Sequence, residues 1–211
     1  MNRKLVALAT MALLWAVQAL AQGTAQPDAA KGESIVKQIC VACHAADGNS
    51  SVPANPKLAG QFQEYLNKQL ANFKAQGGKK AERDNPVMAG MVANLSADDM
   101  RNVAAYFAAQ KLRPATASSK ELAAHGQKLW RGGNASSGVP ACAGCHGPDG
   151  AGIPIQYPRL AGQFAEYLEA QLKLFRAGTR ANDANGMMRG VAANMTDQEI
   201  KAVAEYAGGL R

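Results

Sequence analysis

The chain is 211 residues long, 47% hydrophobic and 18% charged, which supplies enough apolar surface for a packed core and excludes a disordered tail. Four cysteines and three histidines are too few for a disulfide-stapled scaffold or a histidine-rich metal store. The formal charge of +7 is spread along the chain without a Lys/Arg block, so nucleic acid is not an expected partner.

In chain order, Arg3 and Lys4 precede an apolar run from Leu5 to Val17 and the small-residue pattern Ala19-Leu20-Ala21. Residues 1–21 read as a secretory signal peptide cleaved after Ala21, because the apolar run is shorter than the ~20 residues that span a bilayer. The mature chain is therefore expected in the periplasm, with no later membrane span. Loose association with a membrane surface stays open.

A first helix leads to Cys40-Val41-Ala42-Cys43-His44, a C-x-x-C-H string that returns as Cys142-Ala143-Gly144-Cys145-His146. Cysteines three apart on a helical turn face nearly the same side, so both thiols can add to the vinyl groups of one haem as thioethers. The adjoining histidine then reaches the iron. A thioredoxin-like pair would want a βαβ surround, which is not seen, and a zinc site from the four cysteines would leave both histidines idle. Two covalently attached haem c groups (iron) are expected, held by Cys40, Cys43, Cys142 and Cys145, with His44 and His146 as proximal ligands.

Downstream, Lys57-Leu58-Ala59-Gly60-Gln61-Phe62 recurs as Arg159-Leu160-Ala161-Gly162-Gln163-Phe164, at the offset that relates Cys40 to Cys142. Tyr65, Leu66, Leu70 and Phe73 recur in the same register as Tyr167, Leu168, Leu172 and Phe175, and their spacing marks the core face of one helix. Lys79, Lys80 and Arg83 form the densest basic cluster and read as a solvated loop. Ser96-Ala97-Asp98-Asp99 and Thr196-Asp197-Gln198-Glu199 resemble capping boxes that open the last helix of each copy, the first running to about Gln110 and the second to about Gly208. The chain is thus an all-α tandem duplication: a first haem domain at 22–111, a linker at 112–119, and a second haem domain at 120–211.

Elimination addresses the sixth iron ligand. With His44 and His146 proximal, only His125 remains, so both irons cannot be bis-histidine; methionine is the usual alternative. Aligning Met88-Ala89-Gly90-Met91 with Met188-Arg189-Gly190-Val191 leaves one position that is methionine in both copies, so Met88 and Met188 are the expected ligands. Met91 and Met187 are the nearest competitors, while Met100 and Met195 read as core. His125 falls opposite Lys31 in the repeat and reads as a surface residue.

The two C-x-x-C-H sites, the paired methionines and the duplicated PKLAGQ and PRLAGQ segments resemble the dihaem cytochrome c4 family, whose halves are similar to class I cytochromes c. The resemblance implies two helical haem domains packed face to face that pass single electrons toward a respiratory terminal oxidase. It also implies that Pro56 and Pro158, each twelve residues past a haem histidine, offer backbone carbonyls to those histidines, and that Gly32 marks the crossing of the first and last helices. Gly126 lies farther from its cysteines than Gly32 does, so an insertion at Gly132 to Pro140 should form a flexible loop beside the second haem.

Six ligands on each iron leave no vacant position, so outer-sphere electron transfer between redox protein partners is favoured and no catalytic residue is assigned. The chain is read as an electron-transfer protein rather than an enzyme. The alternatives are a dihaem electron-accepting subunit of a dehydrogenase, as in a flavocytochrome, and a dihaem peroxidase or sulfur-compound oxidase.

Overall fold

Asp28 accepts hydrogen bonds from the backbone N–H of Ala30 and Lys31 and so starts α1 (Ala29–Ile35). In this computed structural model, which describes residues 26–211, α1 continues through a π-helical turn (Val36–Cys40) into α2 (Val41–His44). The signal peptide expected at 1–21 lies outside the described residues. The first half is completed by α3 (Gln63–Phe73), α4 (Pro86–Val92) and α5 (Ala97–Ala108). The second half repeats the order with α6 (Lys120–Gly132), α7 (Ala143–His146), α8 (Ala165–Arg176), α9 (Met187–Ala193) and α10 (Asp197–Gly209). Among the described residues the only β structure is isolated bridges, so the fold is all-α.

Both expected capping boxes form. Ser96 Oγ accepts from Asp99 N while the Asp99 carboxylate accepts from Ser96 N, and Thr196 and Glu199 do the same at the start of α10. Two orphan N–H groups are satisfied reciprocally at each helix start. The apolar faces of α3 and α5 then enclose Val36, Leu66, Val103 and Phe107, and those of α8 and α10 enclose Trp130, Leu168, Ile200 and Val203.

The first and last helices of each half touch backbone to backbone. A Cβ built on Gly32 would lie 2.1 Å from Asn102 O, and one on Gly126 would lie 2.0 Å from Ala202 O. Only hydrogen fits between these helices, which is the crossing that the resemblance implied.

The inserted segment differs from the expectation of a flexible loop. Asn134 and Val139 exchange both backbone hydrogen bonds (2.8 and 3.0 Å), the Asn134 amide donates to Glu199 Oε1 (2.8 Å), and Val139 is buried in the second core. A closed hairpin forms because the turn satisfies its own backbone and Val139 gives it an apolar anchor.

The halves are joined by two glutamine side chains acting as peptide mimics. Gln61 Nε2 donates to Arg159 O (2.9 Å) and its Oε1 accepts from Arg159 N (3.0 Å). Gln163 does the same with Lys57, donating to its O (2.8 Å) and accepting from its N (2.9 Å). A primary amide offers a donor and an acceptor side by side, so each glutamine closes a cyclic pair with one residue of the opposite half. Segment 112–119 is also tied down: Arg113 N donates to Asn49 Oδ1 (2.7 Å), Ala115 N to Gly162 O (2.8 Å), and Ser119 N to Glu205 Oε1 (2.6 Å).

Replacing Gly126 by alanine is expected to destabilise the second half by about 1–3 kcal/mol, because backbone rather than a flexible side chain blocks the new methyl. Gly90→Ala is the control, since a Cβ there meets nothing within 4 Å and the substitution should be neutral or stabilising. Urea denaturation of the two variants checks the difference.

Candidate functional site

The C-x-x-C-H helical turns place His44 and His146 at the ends of α2 and α7, with 7% and 6% of their surface exposed. His44 Nδ1 lies 3.0 Å from Pro56 O, and His146 Nδ1 lies 3.0 Å from Pro158 O. A carbonyl can only accept, so the proton sits on Nδ1 and the lone pair on Nε2. Burial, opposed by those carbonyl bonds, lowers both imidazole pKa values and keeps the rings neutral. A neutral imidazole with a fixed tautomer and a free Nε2 is the form that ligates iron.

Cys40 and Cys142 are half-buried, whereas Cys43 and Cys145 are exposed, and no disulfide joins them. Burial pushes the Cys40 and Cys142 thiols up to about 11. Both are therefore protonated at neutral pH, unlike the activated thiolate of a thioredoxin-like pair. The described residues contain no group of three or more Cys, His, Asp or Glu placed to hold a metal, which removes the four-cysteine zinc alternative.

In the first half, Cys40, Cys43 and His44 line a crevice of about 300 Å³ whose walls are largely apolar, including Leu66, Leu70, Phe73, Val103 and Phe107. Met88 enters it from α4, and Asn85 Oδ1 accepts from Met88 N (3.0 Å) to cap that helix. Met88 is half-buried against Phe73, Val92 and Leu95; Met91 also borders the crevice but is 44% exposed. In the second half Met188 is half-buried and Met187 is 39% exposed, while Met100 and Met195 are buried in the cores as expected. Thioether-forming cysteines, a nitrogen with its lone pair free, a methionine and an apolar cavity together fit a covalently held haem.

His125 is half-buried on α6, and no part of the arrangement makes it a ligand. The surroundings of the two histidines differ. Trp130, fully buried and donating from Nε1 to Pro148 O (3.2 Å), packs near His146 with ring centroids 6.3 Å apart. Four residues past the crossing glycine, the first half has Val36 where the second has Trp130.

The basic cluster does not stay together as a solvated loop. Lys79 and Lys80 are exposed, but Arg83 is 9% exposed and crosses to the second half, donating to Tyr167 Oη and Gln171 Oε1 (both 2.9 Å). Arg180, 6% exposed, mirrors it by donating to Tyr65 Oη (3.1 Å) and Gln69 Oε1 (3.2 Å). Each guanidinium stacks on a phenylalanine of its own half: Arg83 on Phe73 at 4.6 Å and Arg180 on Phe175 at 4.4 Å. Tyr65 and Tyr167, read from spacing as core, thus carry their hydroxyls to the boundary between halves. Loop-length changes hide the equivalence of the two arginines, because they do not share the register of the flanking motifs.

The cytochrome c family model matches residues 29–111 and 123–210. Cytochrome c4 of Thiocapsa roseopersicina is 47% identical over 92% of this chain and 97% of its own length. The thiosulfate dehydrogenase electron acceptor of Thiomonas intermedia (strain K12) is 39% identical over 97% of this chain and 89% of its own. Among solved structures, reduced recombinant cytochrome c4 from Pseudomonas stutzeri superposes with a TM-score of 0.82 at 43% identity, covering 88% of this chain and all of that one.

Proposed function

The chain belongs to the cytochrome c4 family of dihaem electron-transfer cytochromes, and on that premise we propose that it carries single electrons through the periplasm toward a respiratory terminal oxidase. The observation that carries this reading is the repeated site: in each half a histidine whose Nδ1 is bound to a proline carbonyl, in a domain with a half-buried methionine on the following short helix. Bound at these sites, each haem supplies a one-electron Fe(II)/Fe(III) couple.

The side chains then have distinct tasks. Cys40 and Cys43 hold one haem through thioethers, and Cys142 and Cys145 hold the other. His44 and His146 give Nε2 to the irons, while Pro56 and Pro158 fix the ring planes and make the imidazoles more basic. Met88 and Met188 would offer the irons soft thioether sulfur, a ligand type that favours Fe(II) and raises the potential. Phe73, Phe107 and their neighbours exclude water, and a histidine and a methionine together at each iron would favour outer-sphere transfer over chemistry at the metal. We further propose that residues 1–21 are removed on export, leaving haem domains at 22–111 and 120–211 joined by 112–119. Among the described residues no helix is long and apolar enough to cross a membrane.

A second reading, electron acceptor for a periplasmic dehydrogenase, draws support from the Thiomonas intermedia relative, whose name describes that role. Reduced protein mixed with oxidase-containing membranes separates the two. Rapid oxidation is expected for the oxidase-directed carrier; no oxidation there, with rapid reduction by a thiosulfate dehydrogenase, selects the second reading.

Met88→Ala and Met188→Ala are each expected to abolish the methionine-to-iron charge-transfer band of one haem and lower one midpoint potential, leaving the other centre unchanged. A redox titration followed by absorption spectra checks this, and unchanged titration in both variants would reject the ligand assignment. N-terminal sequencing of periplasmic material should begin at Gln22, and its mass should include two haems.

A further inference from the structure

The repeated string that ends in Gln61 and Gln163 sets each glutamine against the main chain that holds a histidine of the opposite half. Gln61 N donates to Leu58 O (3.3 Å) and Gln163 N to Leu160 O (3.2 Å), closing tight turns whose third residues are Gly60 (φ +66°) and Gly162 (φ +74°). Positive φ at that position suits glycine, and the turn delivers the next side chain across the boundary. Both glutamines are nearly enclosed there, each 9% exposed.

The orientation of each amide is fixed by its contacts. Gln61 Oε1 accepts from Phe62 N and Arg159 N (both 3.0 Å), and Gln163 Oε1 accepts from Phe164 N (3.0 Å) and Lys57 N (2.9 Å). Two N–H groups converge on one atom, which must therefore be the oxygen. Arg159 N belongs to the same peptide group as Pro158 O. That group accepts from His146 Nδ1 at its oxygen and donates to Gln61 at its nitrogen, 3.0 Å on each side. The mirror path runs from His44 Nδ1 through the Pro56–Lys57 peptide to Gln163.

We propose that Gln61 and Gln163 are positioning residues that act across the boundary, each strengthening the Nδ1–H···O bond of the other half's histidine and lowering the potential of the haem that histidine ligates. The inference rests on the two-haem reading above and gives the glutamines a redox task besides joining the halves. A peptide is a resonance hybrid, so an acceptor on its N–H moves negative charge onto its oxygen. Hydrogen bonds in such a chain strengthen one another by about 10–30%. A stronger pull on the Nδ1 proton makes Nε2 a better donor, which favours Fe(III). The donor end of each glutamine bonds to Arg159 O or Lys57 O, which belongs to the next peptide group, so it anchors the amide while the acceptor end acts on the histidine.

The test is a redox titration of holoprotein carrying Gln61→Met, Gln163→Met or Gln61→Glu, each midpoint being assigned to its half by whether Met88→Ala or Met188→Ala displaces it. Gln61→Met keeps the bulk without the amide and should raise the second-half midpoint, lowering that Fe(III)/Fe(II) ratio about threefold at fixed potential (~28 mV, at ~59 mV per tenfold). Gln163→Met should raise the first-half midpoint instead. Gln61→Glu keeps an acceptor for Arg159 N and should raise neither. A rise confined to the substituted half, no rise, or a rise with Gln61→Glu as large as with Gln61→Met would overturn the proposal. Proton NMR of the reduced holoprotein is a second readout. The His146 Nδ1–H resonance should move upfield in Gln61→Met while that of His44 stays in place; movement of both, as when the halves part, or of neither overturns the proposal. The methionine-to-iron band is expected to persist in all three glutamine variants, so failure here is distinguishable from failure of the ligand assignment.

Discussion

A carbonyl oxygen has no proton to give, and that constraint sets the state of both histidines. With Pro56 O and Pro158 O each 3.0 Å from an Nδ1, the imidazole hydrogen has one place to be, and Nε2 is left as a base. The rest of each half serves that geometry. In the first half a π-helical turn carries α1 directly into the C-x-x-C-H turn; in both halves the glycine crossing brings the first and last helices together, and the capping boxes set where the last helix begins. Shifting the loop that carries the proline would free the ring to rotate without touching any group that binds metal.

Joining two such halves raises a different problem, because the backbone of Lys57 and Arg159 at the boundary still needs hydrogen-bond partners. Gln61 and Gln163 answer it by treating the opposite main chain as another strand would, with paired donor and acceptor. Net worth is modest, about 1 kcal/mol for each bond, but the pairing permits a single register. Segment 112–119 adds bonds to Asn49 on one side and to Gly162 and Glu205 on the other, so it acts as a strap between the halves.

Much of this was legible in the sequence because the demands are local or repeated. C-x-x-C-H is a contiguous string, a capping box spans four residues, and an internal repeat lets one copy check the other, which is how Met88 and Met188 stand out from Met91 and Met187. The repeat was less informative where loops change length. Arg83 and Arg180 occupy matching places in space, with Arg83 N bonded to Asn72 O and Arg180 N to Leu174 O, yet the gaps before and after them differ between copies. A fixed register therefore grouped Arg83 with Lys79 and Lys80. The Gln61 and Gln163 signal was present as a polar residue in a repeated apolar string, but a single half gives it no partner. The inserted segment was misjudged for another reason: its Gly, Asn and Ser content reports turn chemistry, whereas the order comes from Val139 reaching a core that composition does not reveal.

The divergence between the copies follows the same division. The halves agree in the histidine–proline pair, the methionine on a short helix and the stacked arginine, which occur in both. They part in how the methionine-bearing helix begins and in one core position of the first helix. Asn85 caps α4 with a neutral amide, whereas Asp183 stands before α9 with a nearly enclosed carboxylate (4% exposed) bonded by the Arg189 backbone and side chain. Burial alone would raise Asp183, but those bonds outweigh it and keep the group ionised. A neutral cap near Met88 and a charged pair near Met188, together with Trp130 in the place of Val36, give the two sites different electrostatic and packing surroundings. Distinct potentials can therefore arise in one chain without any change of ligand, through residues that repetition leaves free to vary.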